Sequence, residues 1–363
     1  MPSYDAFLLL SFGGPVGPDD VLPFLENVTR GRGVPRERLA EVAQHYHAVG
    51  GVSPINAQCR ELLANVRAAG LDLPMYWGNR NWRPFLTDTV REMADAGVQR
   101  AIAFVTSAYS SYSACRQYYD DIDRAVAAVG PRAPAIDKIR PYFNHPGFIE
   151  PWAAGVADAL ATLDRNEGVR LVCTAHSVPV GMAAASGSHT AGTWLGGQGR
   201  AVEGAVGGRY TAELREVSKL ISERTLGGSI PFDLAYQSRS GPPGVPWLEP
   251  DVNEQLARVA KDGASGVVVA PVGFVSDHME VVHDLDVEAA ETAASLGLPF
   301  ARAKAPGSTA RFAQMVCELV AEQAEGAPAL ALGDLGLGAF AGGALNCPAD
   351  CCRYAPQRPG RPA

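Results

Sequence analysis

Leu171-Val172-Cys173-Thr174-Ala175-His176-Ser177-Val178-Pro179 is a strand-length run, apolar almost throughout, that ends on a histidine. A strand that is apolar on both of its alternating faces is covered on both sides, the condition of a parallel sheet. Val267-Val268-Val269-Ala270 reads the same way. Working outward, strands are expected near 5–11, 73–78, 101–107, 136–142, 169–175, 231–236, 267–273 and 298–302. Amphipathic stretches fall between them at 36–49, 86–96, 118–129, 149–163, 211–224 and 251–260. Strands separated by helices of this length imply βαβ units. The class is α/β, as two similar doubly wound parallel-sheet halves with an active-site cleft between them. The break is expected in Gly130-Pro131-Arg132-Ala133-Pro134, giving halves of 1–132 and 133–305. A last helix at 306–324 is expected to cross back to the first half, followed by a tail at 325–363. Residues 183–208, rich in Gly, Ala and Ser, read as a mobile loop.

The chain has 363 residues, a net charge of −8, 47 % apolar and 19 % charged residues. That balance is globular, and the acidic charge without a Lys/Arg block argues against a nucleic-acid partner. No apolar run reaches the roughly 18–20 residues that span a bilayer. Met1-Pro2-Ser3-Tyr4-Asp5 lacks the basic start of a signal peptide, so the expected location is the cytoplasm. A monomer is expected. Neither a G-x-G-x-x-G after the first strand nor a G-x-x-x-x-G-K-[ST] occurs, which argues against a nucleotide.

Ligands of such folds sit beyond the carboxyl ends of the strands. His176 stands there, and so does Phe274-Val275-Ser276-Asp277-His278-Met279-Glu280. Glu280, Asp284 and Glu288 recur every four residues and form a row on one helix face. Like charges at that spacing repel, and a divalent cation reverses the sign of the interaction. Asp277, His278 and His283 add titrating groups. An imidazole and carboxylates suit a borderline metal or proton transfer. Gly50-Gly51-Val52-Ser53-Pro54-Ile55 presents a serine on a tight turn, and Thr29-Arg30-Gly31-Arg32-Gly33 is a basic turn suited to carboxylates. Of seven cysteines, three crowd into Cys347-Pro348-Ala349-Asp350-Cys351-Cys352, which in a reducing compartment reads either as a metal site or as adventitious reduced thiols.

Five segments in this order resemble the ferrochelatase family: Ser11-Phe12-Gly13-Gly14-Pro15; Gly50-Gly51-Val52-Ser53-Pro54-Ile55; Thr174-Ala175-His176-Ser177; Tyr236-Gln237-Ser238-Arg239-Ser240-Gly241-Pro242; and Gly273 to Glu280. The resemblance runs to about residue 324. It implies two Rossmann-like halves and insertion of Fe²⁺ into a porphyrin with release of two protons. It implies that His176 and Glu280 are the catalytic and metal-contacting pair, facing each other across the porphyrin. Asp284 and Glu288 resemble the acidic row that leads metal inward. Phe12, Arg30, His45, Tyr46, Ser53 and Tyr118 stand at porphyrin-contacting positions.

The stretch Phe24 to Arg32 is polar where membrane-associated relatives carry an apolar lip. The resemblance is therefore to the bacterial branch that uses coproporphyrin III, with protoporphyrin IX as the other substrate. A cobalt chelatase and a tetrapyrrole carrier are the remaining alternatives. The tail resembles the [2Fe–2S] site of some relatives, with Cys347, Cys351 and Cys352 as ligands. The fourth ligand is open among Cys115, Cys173 and Cys317.

Overall fold

A computed structural model describes residues 3–31, 33–164, 167–187, 208–225, 228–241, 244–337, 347 and 350–354. The first sheet contains β1 (Ala6–Ser11), β2 (Met75–Asn79), β3 (Arg100–Val105) and β4 (Ala135–Lys138) in the order β2-β1-β3-β4. The second contains β5 (Val169–His176), β6 (Phe232–Gln237), β7 (Gly266–Ala270) and β8 (Phe300–Arg302) in the order β6-β5-β7-β8. All pairings are parallel. The two halves therefore repeat one topology, and the expected α/β class holds. One boundary differs from the expectation. β4 pairs with β3, so it completes the first sheet instead of opening the second, and the change of sheet comes after Lys138.

The apolar runs have a physical explanation in three cores. Along β1, Phe7 and Leu9 face a core shared by the two halves, while Ala6, Leu8 and Leu10 face an outer core. Along β5, Leu171, Cys173 and Ala175 join the shared core and Val172 faces the other way. Period-2 alternation thus buries both faces, and no polar face remains to be read from the sequence.

The helices of the first half are α1 (Val21–Val28), α2 (Arg36–Ala48), α3 (Ile55–Ala68), α4 (Leu86–Asp95) and α5 (Gln117–Val129). A π-helical turn, Tyr112–Arg116, leads into α5. The second half carries α6 (Pro146–Leu160), α7 (Val180–Ala184), α8 (Gly208–Arg224) and α9 (Val252–Lys261). It continues with α10 (Met279–Val281), a π-helical stretch (Val282–Ala289) and α11 (Ala290–Ser295). The last helix, α12 (Ala310–Glu325), starts on the Thr309 hydroxyl, which accepts from Phe312 N at 3.3 Å, and stops at Gly326 with φ 73°. It packs on α6 and α3, and Phe312 lies edge-on to Phe104 of β3.

Of the loop expected at 183–208, residues 188–207 lie outside the described residues. Residues 327–337 of the tail pass back over the first sheet's exit. Arg140 pairs with Glu322 and donates to the Leu330 carbonyl, and the Asn144 amide donates to the carbonyls of Leu332 and Gly336. Among the described residues, no helix is long and apolar enough to cross a membrane.

Candidate active site

His176 ends β5. Its Nδ1 lies against the Ser177 carbonyl, which holds the proton on Nδ1 and leaves the Nε2 lone pair facing outward. Tyr210 of α8 donates to the His176 carbonyl at 3.0 Å and steadies the backbone there. Glu280 lies in the first turn of α10, where the Nδ1 of His278 accepts from the Glu280 backbone N–H at 3.2 Å. Close approach of this turn to β5 requires a glycine. A Cβ on Gly273 would stand 2.5 Å from the Ala175 Cβ.

The result is a His176 Nε2 to Glu280 Oε2 distance of 3.8 Å. A flat ring between two groups needs about 7 Å, two van der Waals contacts. The expectation that the pair faces itself across a porphyrin is therefore corrected: the two groups stand side by side. At ~2.1 Å from one ion, a nitrogen and an oxygen at this separation subtend roughly 130°, so both can address one metal from the same side of a ring.

Glu280 lies on α10, and Asp284 and Glu288 follow it on the π-helical stretch, where an α-helix was expected. Burial pushes the Asp284 carboxyl up to about 7, with Glu280 and Glu288 adding to the rise against a hydrogen bond from Ser238. Ser238 has a left-handed backbone with φ 60°, the kind of local strain that collects at functional sites. The neighbouring Gln237 donates to the Glu280 carbonyl at 3.1 Å and accepts from the Thr174 hydroxyl at 2.8 Å. The Gln237-Ser238 segment thus holds the backbone of Glu280 and the carboxylate of Asp284. The sequence marked that segment without showing its targets. Outward along the row, Glu288 is half exposed and lies 3.3 Å from His283 Nε2.

Opposite this pair the first half supplies an aromatic wall. Phe12, at the end of β1, lies edge-on to Phe24, with centroids 6.3 Å apart. Phe24 also meets Tyr46 at 6.1 Å and Trp82 at 6.0 Å. Burial raises the Tyr46 phenol, and the nearby Glu280 and Asp284 raise it further, so Tyr46 faces the acidic row. The wall is held by two turns that grip each other. Ser53 N donates to the Pro15 carbonyl at 2.9 Å, Asn56 donates to Gly14 O at 2.7 Å, and a Cβ on Gly14 would meet Ser53 at 2.5 Å.

Ser53 is consequently buried behind the wall. Tyr118 is buried too, under the Arg80 guanidinium at 4.5 Å, and Arg80 pairs with Asp121. Arg30 is exposed after α1. His45 turns away from the wall to stack on His283. Phe24, Trp82 and Arg80 are the site residues that reading the sequence missed.

A second site gathers thiols. Cys115, Cys347, Cys351 and Cys352 line one small cavity with Arg116 and Tyr119. Cys115 comes from the π-helical turn before α5, whose start is capped by the Ser111 hydroxyl accepting from Ala114 N at 3.0 Å. Cys351 and Cys352 Sγ atoms are 3.5 Å apart, too far for a disulfide. Two thiolates ~2.3 Å from one tetrahedral iron or zinc stand roughly 3.8 Å apart. Gly187 N donates to Cys352 Sγ at 3.1 Å. The hydrogen bond from Cys351 pulls the Cys347 thiol down, against the effect of burial. Lys138, 3 % exposed, lies in hydrogen-bond contact with Cys115, and among the described residues no carboxylate pairs with it. A buried cation calls for a nearby anion.

Of the other two thiols left open, Cys173 is enclosed in β5, and Cys317 lies on α12 against the Val66 carbonyl at 3.7 Å. Among the described residues, no three His, Cys, Asp or Glu side chains are already drawn together around a single ion. A two-iron cluster spreads its four thiolates over two metals and needs no such single point.

The family model described as Ferrochelatase matches residues 4–324. A "Coproporphyrin III ferrochelatase" of Nocardia farcinica is 52 % identical, covering 99 % of this chain and 98 % of that one. A protein of the same description from Streptomyces coelicolor is 50 % identical over 99 % of this chain and 95 % of its own. The solved structure titled "SirB from Bacillus subtilis with Fe3+" superposes with a TM-score of 0.53 at 12 % identity, over 90 % of this chain and 98 % of that one, a likeness of fold alone. With the five segments folded into one cleft and a family model spanning nearly all of it, this chain belongs to the ferrochelatase family.

Proposed function

We propose that this chain inserts Fe²⁺ into coproporphyrin III, releasing the two pyrrole protons. The observation that carries the reading is the His176–Glu280 pair at the inner end of a carboxylate row, 3.8 Å apart and opposite an aromatic wall. The naming of relatives at about 50 % identity over nearly full length supports the choice of porphyrin.

The ring slides between the wall and the pair. Phe12 and Tyr46 grip its apolar face, and Arg30 reaches a propionate at the rim. Ser53 and Tyr118 support the wall from behind. The Nε2 of His176 accepts the two pyrrole protons in turn, giving up the first to the carboxylate row before it takes the second, and Glu280 hands the metal to the nitrogens from the same side. Asp284, held near neutrality, passes protons outward along the row that brings Fe²⁺ inward. Binding energy from the disc's large apolar area bends the ring part-way to its metallated shape.

The cleft lies between a first half ending after Lys138 and a second half running to about residue 305, in a cytoplasmic monomer. We further assign the cysteine cavity to a [2Fe–2S] cluster held by Cys347, Cys351, Cys352 and Cys115. The cluster, when bound, would supply a cross-link and an anion beside Lys138. Through Gly187 and α8 these residues tie the tail to the segment that carries His176.

The test is anaerobic Fe²⁺ insertion with coproporphyrin III and protoporphyrin IX side by side, each at several concentrations. Faster turnover with coproporphyrin III is expected. Preference for protoporphyrin IX overturns the substrate assignment, and stoichiometric binding without metallation overturns the enzyme.

A further inference from the structure

The thiol cavity encloses a cation that no carboxylate balances. Lys138 is the last residue of β4, paired in register with Ala103 of β3, and it is 3 % exposed. Strand alternation turns its side chain away from Asp137, the nearest carboxylate in sequence, which Arg100 engages at 2.6 Å on the other face. The Lys138 ammonium donates to the Ile139 carbonyl at 2.9 Å and stands 4.8 Å from the centre of the Tyr119 ring. It also reaches the Cys115 side chain. A carbonyl, an aromatic face and a protonated thiol carry no full negative charge.

A second buried cation nearby supplies the contrast. Lys138 and Arg209 both act on the Cys347 thiol. Arg209 is matched by Glu213 one turn along α8, and that carboxylate also accepts from Ser110 N and Oγ at 2.7 and 2.8 Å. Among the described residues, Lys138 has no carboxylate of its own. An ammonium taken out of water without an anion is strongly disfavoured, so its position calls for negative charge in the cavity. The cavity beside it is lined by four sulfurs.

We propose that Lys138 is the positioning residue that balances the charge of a [2Fe–2S] cluster in this cavity and, through Cys115, makes the cluster easier to reduce. The inference rests on the cluster reading and adds the residue that sets its electrostatics. Four thiolates and two sulfides outweigh two ferric irons, so the loaded cavity is anionic. Reduction adds one electron, turns one ferric iron ferrous and makes the cavity more negative still. A fixed cation stabilises the more negative form more, by Coulomb attraction in a buried site. A hydrogen bond to a ligating sulfur acts in the same direction. Lysine suits the task because its compact ammonium has three donors, enough to serve the Ile139 carbonyl and the Cys115 sulfur together.

The test uses the full chain, reconstituted anaerobically with Fe²⁺ and sulfide. Three quantities are read: iron and visible absorption per chain, the midpoint of a titration in which dithionite supplies the electron, and the melting temperature with and without the cluster. Lys138→Met keeps the apolar stem and removes the charge. It should load, show a midpoint at more negative potential than wild type, and gain less in melting temperature from loading. Without the cluster it should melt no lower than wild type, since an apolar tip replaces an unbalanced charge. Lys138→Arg, which keeps the charge, should stand nearer wild type in both shifts.

A midpoint in Lys138→Met equal to that of wild type overturns the inference and leaves the cluster standing. Failure of Lys138→Met to load while its cluster-free form melts as wild type supports the inference, because the cation is then needed for assembly. Failure to load together with a lower cluster-free melting temperature assigns Lys138 to the fold and overturns it. A wild type that takes up no cluster overturns the cluster assignment itself.

Discussion

The two sheets share strand order, parallel pairing and the burial of both faces, yet their strand ends carry opposite duties. At the exits of the first sheet stand Phe12, Gly13 and Gly14, backed by Phe24 and Trp82, a wall with little to offer a proton or a metal. At the exits of the second stand His176, Gln237 and Ser238, with Glu280 and Asp284 set against them. The repeated architecture positions the cleft, and a handful of side chains at its rim gives one half an aromatic wall and the other an imidazole beside carboxylates.

The sharpest way to break this division is His176→Ala. Metallation should fall by about 10³-fold, within the span of a positioned acid–base group, with porphyrin affinity nearly unchanged and the melting curve intact. A large loss of porphyrin affinity, read from fluorescence quenching, would place gripping in the second half as well. Next comes a matched pair of glycines. Gly273→Ala pushes the Glu280 turn off β5, and Gly14→Ala pushes the Ser53 turn off the wall, each because the added Cβ would stand only 2.5 Å from a neighbouring Cβ. Each should destabilise by about 1–3 kcal/mol. The first should lower kcat about tenfold and the second should raise the porphyrin KM by a similar factor; steady-state kinetics showing the reverse sinks the comparison.

Phe12→Ala removes one aromatic contact worth about 0.5–1.5 kcal/mol, so the porphyrin KM should rise roughly three- to tenfold while kcat holds. The smallest effect concerns Asp284. Its carboxyl is raised from 3.8 to about 7, so the folded state holds a proton that the unfolded chain has lost. A group raised in this way contributes stability at low pH and loses it as pH climbs through that window. Asp284→Asn should therefore flatten the fall in melting temperature between about pH 4 and pH 7, relative to wild type, in a calorimetric pH series. An unchanged slope would show that Asp284 titrates as an ordinary surface acid.

Much of this was legible beforehand because it depends on short-range pattern. All eight expected strands overlap observed ones, and six helices lie where amphipathic spacing put them. His176 and Glu280 stood out because one closes an apolar strand and the other opens the helix that comes after β7. α1 and α3 were not anticipated, since α1 is only 8 residues long with a proline inside it and α3 begins inside a Gly/Pro turn that reads as loop. The π-helical stretch was also invisible, because spacing by four suits an α-helix equally well.

What the chain's own order of residues determined was the alternation of strands and helices, the placing of reactive groups at strand ends, and the family to which those segments belong. Those are local matters of periodicity and turn chemistry. Only the packed molecule decided that His176 and Glu280 stand side by side, that Cys115 and not Cys173 or Cys317 lines one cavity with the tail thiols, that β4 belongs to the first sheet, and that His45 meets His283. Each joins residues dozens to hundreds of positions apart, where no helical or strand period reaches. Their meeting follows from how three cores are filled at once, and that is a property of the whole volume.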